Sequence, residues 1–328
     1  MLLIHLALFT VACIVLVWSN NFLVKSLSKI SYFLNLNEFT IGFILVSVAT
    51  SLPEIFVGVM SAVSGIPEFS IGNVIGSNII DLTLVIGVAV LLAQKITIES
   101  KIIKRDMIYM LVLTLLPVLL FIDHNIWQSF GLFPNMTRGL SRIDGLILVL
   151  SFVYYMYLLI NQESKFSKTV EHTPKKEVVK YMGLFLISIT MLLMSAHYVV
   201  EYGELLSVDI NLSPFLMGIF LISLGTSLPE LMFESKAVMS GHQSMAIGDL
   251  IGSVITNSTL VLGITALIMP IHVNSLIYLS STMFMLFSAF IFFTLAESDN
   301  KFTWTEGISL LLLYVLFIII ETYIKNIA

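Results

Sequence analysis

The chain has 328 residues, 58% of them hydrophobic and 11% charged. A soluble domain carries roughly 25% charged residues, and the 16 Lys+Arg and 21 Asp+Glu of this chain could not cover a soluble surface of its size. An ordinary cytosolic enzyme, a nucleic-acid binder and a disordered chain are therefore excluded, while the net charge of −5 says little about partners. The one cysteine, Cys13, sits in an apolar run, with no partner for a disulfide and no thiol cluster for a metal. It reads as a small buried hydrophobe.

Apolar runs of about 20 residues, the length that crosses a bilayer, recur along the whole chain. Ten spans are predicted, at about 2–22, 38–63, 70–93, 104–122, 143–161, 178–203, 213–239, 246–269, 275–295 and 304–323. The first is not expected to be a cleavable signal peptide, because it lacks a basic leader and runs on into Lys25 and Lys29. Strand-length alternation is absent, so the expected fold is all-α, a polytopic membrane protein and not a barrel. All basic residues except Arg138, Arg142 and Lys325 fall in the loops after spans one, three, five, seven and nine or at the span ends beside them. The positive-inside rule places those loops in the cytoplasm and both termini outside, in a multi-pass protein of the cell inner (plasma) membrane. Segment 162–177, rich in Lys, Glu, Ser and Thr, reads as a solvated cytoplasmic linker between two halves, 1–161 and 178–328.

The halves repeat each other. Ser-Val-Ala-Thr-Ser-Leu-Pro-Glu at 47–54 answers Ser-Leu-Gly-Thr-Ser-Leu-Pro-Glu at 223–230, and Ile-Gly-Asn-Val-Ile-Gly-Ser at 71–77 answers Ile-Gly-Asp-Leu-Ile-Gly-Ser at 247–253. Both pairs share an offset of 176, which holds without a gap from about Gly42/Gly218 to Gly87/Gly263. The repeated stretches occupy about 38–93 and 213–269. Five crossings separate spans two and seven, and an odd number reverses direction, so two inverted five-helix repeats are predicted. Secondary transporters built this way bind substrate near the midplane, where helices are interrupted.

The repeats also carry the polar groups least suited to a bilayer. Glu54, Asp81 and Glu230 fall deep in their spans, where a carboxylate normally faces a cavity and a partner. A carboxylate satisfied by a neighbouring helix, or held neutral by a proton, is the plainer alternative. Ser47, Thr50, Ser51 and Glu54 share one helix face at i, i+3, i+4 and i+7, as do Ser223, Thr226, Ser227 and Glu230. Pro53 and Pro229 beside the acids should free the carbonyls of Ala49 and Gly225, which is tolerable at mid-depth only against protein or a cavity. Spans three and eight add Ser77 with Asp81 and Ser253 with Asn257, again at i, i+4. The pairs Gly72/Gly76 and Gly248/Gly252 read as small-residue packing surfaces. Carboxylates, hydroxyls, an amide and carbonyls, without His or Cys, suit hard cations such as calcium and sodium. Anionic substrates would call for Arg or Lys, and only Lys236 occurs in these stretches, near a cytoplasmic end.

At these residues the sequence resembles the cation/calcium exchanger superfamily, in particular its prokaryotic sodium/calcium exchanger branch. The motif is Thr-Ser-Leu-Pro-Glu followed by Gly-(Asn/Asp)-x-x-Gly-Ser, present twice in register. The resemblance implies a rigid core of spans two to five and seven to ten, with long helices one and six sliding across it. It implies cation ligands at Ser47 (carbonyl), Thr50, Ser51, Glu54, Ser77 and Asp81, and at Ser223 (carbonyl), Thr226, Ser227, Glu230, Ser253 and Asn257. The glutamates and threonine carbonyls would hold calcium, and the serine-rich arms sodium. Calcium and sodium ions and the lipid bilayer are then the partners, no cofactor is required, and a monomer is expected.

The sequence departs from the pattern in four ways. Asp81 and Asn257 reverse the usual Asn-then-Asp order, Ala49 replaces the glycine of the second copy, Asp249 answers Asn73, and Glu234 answers Gly58. Glu234 is expected to snorkel at the interface, the alternative being that it lines the cytoplasmic approach. Proton coupling through Asp81 and potassium dependence stay open as alternatives, although the proton-coupled branch usually shows Gly-Asn-x-x-Glu, which is absent. A passive cation channel fits less well, since channels usually close a pore by subunit symmetry. An intramembrane hydrolase would need a base beside a serine; His197 lies outside the repeats and reads as a helix-interface histidine, so no enzyme is expected.

Overall fold

The computed structural model describes residues 1–33, 46–98, 101–129, 139–163, 175–273, 275–298 and 300–325. It is almost entirely helical. Among the described residues, nine helices are long and apolar enough to cross a membrane. The beginning of the predicted second span, at 38–45, and most of the linker 162–177 lie outside the described residues.

The first helix, α1 (Leu2–Phe33), runs well past its predicted end, so Lys25 and Lys29 are helical and not in a loop. It packs along α7 (Lys175–Asp209). At 1.5 Å per residue these helices of 32 and 35 residues measure roughly 50 Å, far more than a hydrocarbon core of about 30 Å. His5 Nδ1 and Asp209 Oδ2 meet at 2.7 Å and tie one end of the pair together.

The second span is broken. Helix α2 (Val46–Thr50) stops at Ser51, whose φ of −78° and ψ of 3° depart from helical values, and α3 (Leu52–Val63) starts afresh with Pro53 in its first turn. Proline costs nothing there, because its missing N–H is one the helix start leaves unused. The corresponding stretch of α8 (Pro214–Met239) breaks in the same way at Ser227, with φ −82° and ψ 1°, before Leu228 and Pro229.

Helices α4 (Glu68–Ala93) and α9 (Gln243–Ile268) form the centre and are the most deeply buried of the nine, whereas α1 is largely exposed. Each contains one π-helical segment, Asp81–Val85 in α4 and Asn257–Val261 in α9. A third lies in α8 at Gly218–Ile222. Around the centre stand α5 (Lys101–Ser129), α6 (Arg142–Glu163), α10 (Ser275–Ser298) and α11 (Trp304–Lys325).

Glycine sets the closest helix approaches. A Cβ on Gly72 would lie 2.1 Å from the Phe215 carbonyl oxygen, and one on Gly76 2.5 Å from that of Ile219, so this pair does pack α4 onto α8. Two further contacts match between the halves: Gly87 against Gly307 joins α4 to α11, and Gly263 against Gly145 joins α9 to α6. Two three-residue strands, which the helical pattern does not announce, pair antiparallel: β1 (Lys95–Thr97) and β2 (Lys301–Thr303). Gln243 ties α9 to β1 through the Thr97 amide and the Lys95 carbonyl. An isolated bridge, Leu140 to Ile271, links the segments before α6 and after α9.

Two side chains differ from expectation. His197 faces outward, its side chain 55% exposed and paired with Glu201 at 3.7 Å, because it lies on the side of α7 turned from the bundle. Cys13 is half-buried, with its sulfur close to Gly225.

Candidate cation site

Two helix starts and two central helices converge in the interior. Glu54 and Glu230 occupy the first turns of the helices that begin at Leu52 and Leu228, where the partial positive charge of a helix start favours an anion. Crossing them, α4 presents Asn73, Ser77 and Asp81, and α9 presents Asp249, Ser253 and Asn257, each set at i, i+4 and i+8 on one face. The π-helical segments begin at Asp81 and Asn257, whose own amides still bond Ser77 and Ser253, so the shift in register falls on the turn that follows them.

Hydrogen bonds join the halves in matched pairs. Thr50 Oγ1 lies 3.1 Å from the Ser47 carbonyl, 3.2 Å from Asp249 Oδ1 and 3.2 Å from Ser253 Oγ. Thr226 Oγ1 lies 3.3 Å from the Ser223 carbonyl, 3.0 Å from Asn73 Oδ1 and 3.3 Å from Ser77 Oγ. Each threonine of one copy thus bonds the central helix of the other. The Ser77 hydroxyl also donates to Glu54 Oε1 at 3.3 Å. Ser253 makes no such bond to Glu230 and meets Thr50 instead, so the two copies differ here.

All twelve predicted ligand residues are buried, none more than 3% exposed. Many of their polar atoms have no protein partner: the hydroxyls of Ser51 and Ser227, Glu54 Oε2, both carboxylate oxygens of Asp81 and Glu230, and both amide atoms of Asn257. Ser227 lies beside Asp81, and Glu230 is within Coulombic reach of Glu54, Asp81 and Asp249. Buried polar atoms are ordinarily paired, and a buried charge without a counter-charge is costly. The ion pairs Lys104–Glu297 and Arg105–Asp106 involve other acids. Among the described residues no three Asp, Glu, His or Cys side chains converge closely enough to hold a metal by themselves. Hydroxyls, amides and carbonyls would have to complete the shell of any cation here.

Three polar residues belong to this region beyond the predicted set. Asn73 and Asp249 accept from the two threonines; their place one turn before Ser77 and Ser253 was the available signal. Asn20 of α1 is buried, and its amide reaches the Thr50 carbonyl at 3.5 Å. Only its contact reveals it, since α1 lies outside the repeat. Glu234 corrects an expectation: it does not snorkel but is fully buried, because its turn of α8 is packed against α9 and α4.

The sequence model of the family described as sodium/calcium exchanger protein matches residues 4–161 and 180–323. The chain belongs to the sodium/calcium exchanger family. Exchanger-family relatives include "Sodium/calcium exchanger MaX1" of Methanosarcina acetivorans, 26% identical over 99% of this chain and 100% of its own length. "Inner membrane protein YrbG" of Escherichia coli is 27% identical over 89% of this chain and 88% of its own. Among solved structures, that of the sodium-calcium exchanger NCX_Mj soaked with 2.5 mM Na+ and 10 mM Sr2+ matches with a TM-score of 0.68 at 25% identity, over 97% of this chain and 99% of the other. The chain is thus a multi-pass membrane protein of a transporter family, and its described helices follow the NCX_Mj membrane fold.

Proposed function

We propose that this chain is a secondary active antiporter that exchanges calcium for sodium by alternating access, built from ten helices in two inverted five-helix repeats. The observation that carries the reading is the doubled break at Ser51 and Ser227. Each break leaves a glutamate at the start of a half-helix inside the membrane, beside oxygens that no protein group satisfies. The matched glycine and threonine contacts of the two halves support the repeat architecture.

The twelve ligand residues take distinct roles. Glu54 and Glu230, with the Thr50 and Thr226 carbonyls, bind calcium; Ser47, Ser51, Ser77 and Asp81 on one side, and Ser223, Ser227, Ser253 and Asn257 on the other, bind sodium. Calcium takes six to eight oxygens in flexible geometry, which this mixture suits. Both ions draw on the same glutamates, so one must leave before the other binds. That competition couples the fluxes and needs no covalent chemistry. α1 and α7 slide over the core to open the site alternately, with the termini outside and the 162–177 linker in the cytoplasm.

Calcium uptake into liposomes tests this. Uptake should require an outward sodium gradient and reverse when the gradient is reversed. Parallel runs with potassium and proton gradients distinguish other coupling ions, and uptake indifferent to sodium would reject the reading.

A further inference from the structure

The two repeats differ beside the site. At position 58 the first copy has glycine, and a Cβ there would meet Thr265 Oγ1 at 2.8 Å and Ser70 Oγ at 2.9 Å. Those hydroxyls bond each other at 2.7 Å and close the space. In the second copy the residue in register with Gly58 is Glu234, and those in register with Ser70 and Thr265 are Ala246 and Ala89, both fully buried. A carboxylate therefore stands where the other half has a satisfied hydroxyl pair, and neither of its oxygens has a partner.

Asp249 is the second difference, answering Asn73. Its Oδ1 accepts from Thr50, whereas its Oδ2 is buried without a partner. The part of α8 that carries Glu234 packs against α9, which carries Asp249, and against α4, which carries Asp81, whose two oxygens are also unpartnered. A proton alone would not resolve this, because a protonated carboxyl still presents an O–H and a carbonyl that need partners. The exchange site as read above uses Glu54, Asp81 and Glu230, and that reading gives no role to the two further buried acids, Glu234 and Asp249. Glu234 lies one turn beyond Glu230 on the way to Lys236, toward the end of α8 that leads into α9 at Gln243, next to Lys95.

We propose that Glu234 and Asp249 form a second cation subsite on the basic-face side of the exchange site, filled by a small hard cation of the calcium class and sharing Thr50 with it. The inference takes the exchange site as read above and adds a neighbour to it. Such a subsite would hold a cation in waiting next to the exchange site.

The test is equilibrium binding of radioactive calcium to the purified full chain in sodium-free detergent. Wild type should bind two calcium ions. Glu234→Gln should bind one, and so should Asp249→Asn, a change whose fit is assured by the natural Asn73 of the first copy. The double variant Glu54→Gln/Glu230→Gln should lose the other ion. A wild-type stoichiometry of one overturns the proposal, as does retention of both ions in either single variant. Should Glu234→Gln fail to fold, Asp249→Asn decides. Two ions retained in Glu54→Gln/Glu230→Gln, with one lost in Glu234→Gln, would reject the exchange-site assignment while leaving the second subsite in place.

Discussion

Gly76→Ala perturbs the site without replacing any ligand residue. The new Cβ would lie 2.5 Å from the Ile219 carbonyl oxygen, 2.5 Å from Ser223 Oγ and 2.7 Å from Ser223 Cβ. Carbon atoms pack best about 3.5–4.0 Å apart, so α8 has to withdraw from α4 by about 1 Å. The residue displaced first is Ser223, a proposed sodium ligand, and its carbonyl accepts from Thr226, whose own carbonyl is a proposed calcium ligand and moves with it. Calcium holds its oxygens at about 2.3–2.6 Å, so a shift of that size takes an oxygen out of the shell unless the ion pulls the helices back together. Forcing an extra methyl into a packed contact costs about 1–3 kcal/mol. Charged to binding, that is roughly a tenfold to hundredfold loss of calcium affinity. Calcium-dependent uptake into proteoliposomes reads this out. Gly183→Ala is the control, because no heavy atom lies within 4 Å of its Cβ and its transport should match wild type. Wild-type calcium affinity in Gly76→Ala would refute the argument that the glycine contact sets the ligand spacing.

Glu54→Gln and Glu230→Gln should each abolish calcium uptake while leaving a monodisperse protein; retained uptake in either would remove that glutamate from the site. Asp81→Asn alone should impair sodium-driven exchange, and adding Asn257→Asp should restore much of it, because the pair keeps its total charge across equivalent positions; transport assays on the single and double variants decide. Thr226→Val removes the hydroxyl bonded to Asn73 and Ser77 and should cost about 1–3 kcal/mol by stranding buried partners, seen as a lowered melting temperature together with weaker calcium binding. An unchanged melting temperature would show that those bonds contribute little.

Much of this was legible in the residues. The apolar runs locate the helices, and Pro53 and Pro229 mark where two of them break. The repeat offset pairs residues that the structure also treats alike, Thr50 with Thr226 above all. Other features leave no trace in the pattern. A π-helical segment keeps the apolar composition of the α-helix around it, so those at Asp81 and Asn257 are visible only in the backbone. The β1–β2 ladder depends on two distant loops meeting. Glu234 misleads because Lys236 follows it two residues later, which suggests a wet helix end. Packing against α9 and α4 buries that turn instead. Asn73 and Asp249 were within reach of the spacing argument, since they extend the i, i+4 series of Ser77/Asp81 and Ser253/Asn257 by one turn.

The most direct test of the central claim is calcium flux in liposomes containing only this protein, measured while the sodium gradient is imposed, removed and reversed. Coupled exchange at the doubled glutamate site predicts uptake against an outward sodium gradient, none without a gradient, efflux on reversal, and loss of all three responses in Glu54→Gln. Calcium movement that ignores sodium, or that survives Glu54→Gln undiminished, would contradict it.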